Sequence, residues 1–160
     1  MSDETTTPVP LSAIGSDFME RYNAFEARAA ELHPANKLCL FAALRKAHIA
    51  TVTVRFDGYG DSGQIEDVTA IVGDQTEWAI PDAIVDLQRL DFGQEQPVTL
   101  SQPLSEAIET MSYALLASSH RGWENNGGAY GEFVFDVAAG TITLDYNERF
   151  ETSENYRHDF

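Results

Sequence analysis

Between Tyr130 and Tyr146, apolar residues recur at every second position on both sides of a short break. Phe133, Phe135 and Val137 alternate with Glu132, Val134 and Asp136. After Ala138-Ala139-Gly140, Ile142, Leu144 and Tyr146 alternate with Thr141, Thr143 and Asp145. A period of two is that of a strand with one buried face. A short break ending in glycine returns such a strand antiparallel to itself. A chain holding this hairpin must cover its Phe/Ile/Leu side with other apolar elements and carries carboxylates on the opposite side.

The remaining chain supplies the cover. Ile14, Phe18, Tyr22, Phe25, Ala29 and Leu32 recur at steps of three and four, one face of an amphipathic helix capped by Ser12 or Ser16. Glu20, Glu26 and Glu31 lie off that stripe. His33-Pro34 is expected to end it, because a residue before proline avoids the α region. A second helix over Pro34–Ala47 has so little polar surface that burial is expected, Cys39 included, with Lys37, Arg45 and Lys46 facing the acidic first helix in an antiparallel pair. Val52, Val54 and Phe56 mark a strand. A second strand, Gln64–Val72, follows the turn Asp57–Gly63, and Ile65 is out of phase with Val68, which points to a bulge near Glu66-Asp67. Thr76–Ile80 reads as a short strand with Trp78 and Ile80 inward, Asp82–Leu90 as a short helix, and Val98–Leu100 as a brief strand in a loop. Leu104, Ile108, Met111 and Leu115 mark a third helix beginning near Ser101, and the tail Asn155–Phe160 is a further edge strand. The order predicts an α+β fold: an antiparallel β-sheet with two N-terminal helices and a third helix packed on one face. Residues 1–10, polar and holding Pro8 and Pro10, read as a disordered arm before a single domain over 11–160.

The charge is lopsided, with 26 acids against 10 bases for a net −16, and it is spread along the chain: net −6 over residues 1–80 and −10 over 81–160. Such a chain lacks the cations that phosphates require, so direct nucleic-acid binding is not expected. The charge suits solubility, a basic surface on another protein, or multivalent cations. A lone cysteine excludes an intrachain disulfide and suits a reducing cytoplasm. The N-terminus lacks the basic and apolar regions of a signal peptide. No apolar run approaches the ~20 residues of a transmembrane helix.

Three stretches are candidate sites. In Asp57-Gly58-Tyr59-Gly60-Asp61-Ser62-Gly63 with Glu66, the acids Asp57, Asp61 and Glu66 offer oxygen ligands for a hard cation such as Ca²⁺ or Mg²⁺, joined by Glu124 if the two glycine-rich loops meet. The spacing is not that of an EF-hand, and a glycine-rich hairpin turn explains the same residues. In His120–Gly128, Trp123 is either an interface anchor or a core residue beneath a loop. On the polar strand face, Glu132, Asp136 and Asp145, with Glu148 nearby, form an acidic stripe in which Asp136 and Asp145 are placed to face one another, or a solvated face relieved by Arg149 or Arg157. Nucleophile elbows, phosphate loops, dinucleotide fingerprints and His-Glu-x-x-His or Cys-x-x-Cys motifs are all absent, so no catalytic residue is expected.

At FDGYGDSGQIE and GWENNGGAYGEFVFDVAAGTITLDYNERF the chain resembles a family of small uncharacterised bacterial proteins, a domain of unknown function met on plasmids, phages and accessory gene clusters. The resemblance covers the C-terminal two-thirds. It carries no activity to transfer and implies a mobile-element setting. Together these readings give the expectation of a non-enzymatic acidic binding module. It would act as a DNA mimic on the basic surface of a nucleic-acid-handling protein, in the manner of an anti-CRISPR or anti-restriction inhibitor. Its contacts would be Glu20, Glu26 and Glu31 on the first helix, Trp123, and Glu132, Asp136, Asp145 and Glu148 on the last hairpin. The alternative is a divalent-metal-binding module or metal-dependent hydrolase built on Asp57, Asp61, Glu66 and Glu124.

Overall fold

The computed structural model describes residues 11–59, 62–73, 76–123 and 128–160, with the side chains of 11–14, 16, 59 and 62 excepted. The expected arm over residues 1–10, and with it Asp61 and Glu124, lies outside the described residues.

The described elements run α1 (Leu11–Ala30), α2 (His33–Lys46), β1 (Ile49–Tyr59), β2 (Ser62–Val72), β3 (Glu77–Trp78), β4 (Ile84–Arg89), β5 (Val98–Pro103), α3 (Leu104–Ser119), β6 (Ala129–Asp136) and β7 (Thr141–Glu148). The architecture is the expected α+β. β3-β2-β1-β6-β7 form a five-stranded antiparallel sheet, and β4 and β5 pair antiparallel in a second, two-stranded one.

Alternation decides which residues are inside. Val52, Val54 and Phe56 of β1 and Phe133 and Phe135 of β6 point to one side, where Leu40, Phe41 and Leu44 of α2 and Leu104, Ile108 and Leu116 of α3 meet them. Val85 and Leu87 of β4 complete this core. Gly131 is the one inner position of β6 without a side chain, and the space explains it. A Cβ there would collide with the Asp145 carbonyl and crowd the Phe56 ring. The phase slip at Ile65 is a real bulge: Arg55 pairs with Asp67 and Phe56 with Ile65, which leaves Glu66 unpaired.

Several local expectations are corrected. α1 and α2 are not an antiparallel pair but one bent helix. Hydrogen bonds run through the junction, Leu32 N–H to Ala29 O and Asn36 N–H to Leu32 O, and Pro34 in the first turn of α2 bends the path because it has no N–H to give. Arg45 accordingly reaches the Val137 carbonyl rather than the first helix. Nor is α2 buried all round, since Leu38 and Cys39 face outward. Residues 84–89 are a strand, with Val85 and Leu87 inward and Asp86 outward. Val85 and Leu87 keep a strand's period of two, Ile84 is left exposed, and pairing with β5 decides it. Ser101 belongs to β5, where its hydroxyl donates to Asp86, and α3 starts from Pro103. Trp78 pairs with the buried Ala70 yet is 58% exposed, because β3 is the sheet's edge. The tail forms no strand and is exposed.

One buried side chain fastens α2 to the smaller sheet. Asn36, 8% exposed, donates from Nδ2 to the Gln88 carbonyl at 2.9 Å and accepts the Gln88 N–H on Oδ1 at 2.8 Å. One amide side chain thus imitates a strand partner and fastens α2 to β4. Where α2 turns into β1, His48 adopts φ 62°, the left-handed conformation that ends many helices and usually goes to glycine.

Candidate functional site

The side of the sheet turned away from α2 and α3 is built by the other half of each alternation. Register brings four strands into rows across it. Asp67, Arg55, Glu132 and Asp145 stand side by side on β2, β1, β6 and β7. The next row, toward the loop end, is Gln64, Asp57, Tyr130 and Asn147. On the other side comes Thr69, Thr53, Val134 and Thr143. Neighbouring side chains in such rows lie about 5 Å apart. Arg55 is therefore one cation set between two carboxylates, with a third directly beyond Glu132. Opposed like charges cost roughly 0.2–1 kcal/mol, a cost that the Glu132–Asp145 pair carries beside Arg55 in the same row. Around this row the surface dips into a shallow hollow bordered by Arg55, Asp57, Glu66, Glu132, Asp145 and Asn147.

The predicted acidic stripe is thus real but differently composed. Asp136 does not face Asp145. It pairs with Thr141 at the turn, and its Oδ1 accepts the Ala139 N–H at 3.1 Å, so this carboxylate caps the hairpin loop. The loop spans 137–140, which leaves Asp136 at the mouth of the hairpin and Asp145 four residues up the other strand. Glu148 is on the opposite side of β7 from Asp145. It borders a hollow of about 740 Å³ at the end of the sheet, with His120, Trp123, Tyr146 and Arg149. There the His120 ring stacks on Tyr146, centroids 3.6 Å apart at 6°.

Trp123 is core rather than anchor. It is 9% exposed, meets Phe56 edge to face at 5.5 Å, and lies so close over Gly63 that a Cβ on Gly63 would overlap its ring. The glycine of the first turn and the tryptophan of the second motif therefore form one contact. It joins the β1–β2 hairpin to the segment after α3.

Of the metal candidates, Asp57 is bound by Arg149. Arg149 Nη1 and Nη2 reach the two Asp57 oxygens at 3.0 Å each, Nη1 also donates to the Gly58 carbonyl, and the guanidinium lies 4.7 Å over the Tyr130 ring. Glu66, on the bulge, accepts from the Gln64 amide. Among the described residues no group of three or more His, Cys, Asp or Glu side chains is placed to hold a metal ion. Of the first-helix acids, Glu20 and Glu31 are exposed. Glu26 is ion-paired with Arg121, which lies 4.8 Å over Tyr22. α1 sits on the helical side of the molecule, so these acids do not extend the carboxylate row of the sheet.

Arg55 and Asp67 were missed by sequence reasoning. Arg55 sits on the polar phase of β1 with Thr51 and Thr53, and Asp67 immediately follows the bulged residue. Both were findable once β1 was placed between β2 and β6. No described helix is long and apolar enough to cross a membrane. No curated protein and no solved structure matches the chain. The chain belongs to DUF6878, a family of unknown function, whose model matches residues 32–160, from the junction before α2 to the tail, with α1 outside it.

Proposed function

We propose that this protein is a non-enzymatic acidic binding module. Its open sheet face engages the basic surface of a nucleic-acid-handling partner, as a DNA mimic in host–phage or plasmid conflict within the bacterial cytoplasm. The observation that carries the reading is the row Asp67, Arg55, Glu132, Asp145 on a sheet face opposite the packed helices. Strands hold these groups at fixed spacing, so a partner's arginines and lysines meet an ordered array rather than a mobile acidic tail. A chain of net −16 attracts such a partner over about a Debye length, ~8 Å at physiological salt, and steering of this kind raises association rates more than affinity.

The test is recovery of partners from nuclease-treated bacterial lysate on the tagged full chain, at low and at high salt, read by mass spectrometry. The reading expects a nucleic-acid-binding protein that is captured at low salt and lost at high salt. Capture that is indifferent to salt, or nothing above background, contradicts it.

A second reading, a divalent-metal site or metal-dependent hydrolase, has Asp57, Glu66, Glu132 and Asp145 bordering one hollow without forming a group close enough to hold a metal ion. Binding to the folded state alone raises the melting temperature by mass action. This reading therefore requires a rise in Tm with Ca²⁺, Mg²⁺ or Mn²⁺ that chelator reverses. An unchanged Tm excludes it.

A further inference from the structure

α1 meets the loop after β4 and the segment after α3. Phe18, Tyr22 and Phe25 gather round Phe92, with centroids 5.9, 5.7 and 5.3 Å away. Arg121 covers Tyr22 and pairs with Glu26, and Arg28 Nη2 donates to the Glu95 carbonyl at 2.6 Å. Inside these contacts lies a cleft of about 270 Å³ walled by Tyr22, Phe25, His33, Leu87, Met111 and Ala114.

The sequence explains why the cleft is open. α3 spends its large residues, Leu104, Ile108 and Leu116, on the core. Toward α1 it presents Thr110, Ala114, Ala117 and Ser118, which are too small to fill the gap. The result is a cleft that opens to the surface past Ala117 and Ser118.

The charge of the wall is balanced. Glu26 is neutralised by Arg121, and Arg89 by Asp91 at 2.9 Å. The His33 imidazole has no hydrogen-bond partner among the described residues, and desolvation lowers its pKa, which keeps the ring neutral. Aromatic faces, a thioether and one neutral hydrogen-bonding ring are the usual lining of a small-molecule site.

We propose that the cleft between α1 and α3 binds a neutral small molecule of one or two fused rings with a single hydrogen-bonding group directed at His33. The size follows from volume. Benzene occupies an apolar cavity of about 150 Å³, so this cleft has room for a second ring. Because α1 lies outside the matched residues 32–160, the family core and the preceding helix build the site jointly. The cleft is on the helical side of the molecule, so it stands or falls independently of the open acidic face.

Indole is the probe: neutral, bicyclic and carrying one N–H. Titrated into the full chain, it shifts the methyl resonances of Leu87, Met111 and Ala114 saturably and slows amide exchange in the second half of α1. Ala114→Leu fills the cleft and weakens this binding at least tenfold. Ala117→Leu, at the more exposed edge, gives the same result if the first variant does not fold. Naphthalene, of similar shape without the N–H, binds several-fold more weakly, and His33→Phe removes that difference. The proposal is overturned by the absence of saturable shifts up to the solubility limit of indole, by equal shifts in the filled variants, or by equal binding of the two probes to the wild-type chain.

Discussion

The two faces of the central sheet come from alternate residues of the same strands, yet they obey different rules. On β6 the inner set is Ala129, Gly131, Phe133 and Phe135, and the outer set is Tyr130, Glu132, Val134 and Asp136. The inner set is fixed by volume, down to a glycine where no Cβ fits. The outer set is fixed by nothing of the kind. It places Glu132 opposite Asp145, an arrangement a fold selected for stability alone would avoid. The difference teaches where to look for function. Residues that the core demands explain themselves, and the proposed reading rests on residues that the core does not demand.

The sharpest way to break this contrast is to cut adjacent residues of one strand. Phe133→Ala, at 1% exposure, removes a ring packed against Phe56 and Phe135 and should cost about 3–5 kcal/mol in urea unfolding. Val134→Ala, half-buried on the outer face of a central strand, should cost no more than about 1 kcal/mol. Equal losses would mean that the outer face is packed too. Asn36→Ala comes next. It strands the Gln88 N–H and carbonyl in a half-buried seam and should cost about 1–3 kcal/mol by the same measurement.

Neutralising the opposed pair should act with the reverse sign. Asp145→Asn is expected to raise stability by about 0.2–1 kcal/mol at low ionic strength, with a smaller gain in high salt. A loss of stability would show that Asp145 holds a structural contact rather than a functional one.

Much of this was legible from period alone. The alternation of Phe133/Phe135 and Ile142/Leu144 gave the hairpin, and the misfit of Ile65 gave the bulge at Glu66. What period cannot carry is register and partner choice. The expected Asp136–Asp145 pairing fails because the short loop over 137–140 puts Asp136 opposite Thr141, and meeting Asp145 would take a loop running on to residue 144. The helix expected over 82–90 gives way to a strand because within β4 only Val85 and Leu87 are buried, at a period of two, while Ile84 is exposed and β5 pairs along the whole of β4. Trp123 was ambiguous between core and anchor because the answer lies in Gly63, sixty residues away. Arg55 belonged to no motif, yet it sits in the middle of the carboxylate row.

The smallest expected effect is the pH response of the cleft wall. Burial lowers the His33 pKa below its ordinary 6.5, so in the window at and below 6.5 the unfolded chain binds more protons than the folded one. This part of the stability is complete above 6.5 and is lost as pH falls from there through the lowered pKa of the folded state. His33→Gln should flatten the Tm-against-pH curve between about pH 7 and 5 relative to the wild type. An unchanged slope would place His33 in solvent.

The measurement that tests the central claim most directly compares two charge variants of equal size against whichever basic partner the chain captures. Glu132→Gln/Asp145→Asn removes two charges from the open sheet face, and Glu20→Gln/Glu31→Gln removes two from the helical side. Both change the net charge of −16 by the same amount. If the sheet face is the binding surface, the first variant should weaken Kd at least tenfold and the second should leave it within about twofold, since screening past ~8 Å leaves remote charges little effect. Equal weakening by the two variants, or none by the first, would contradict the account and reduce the acidity to a general property of the chain.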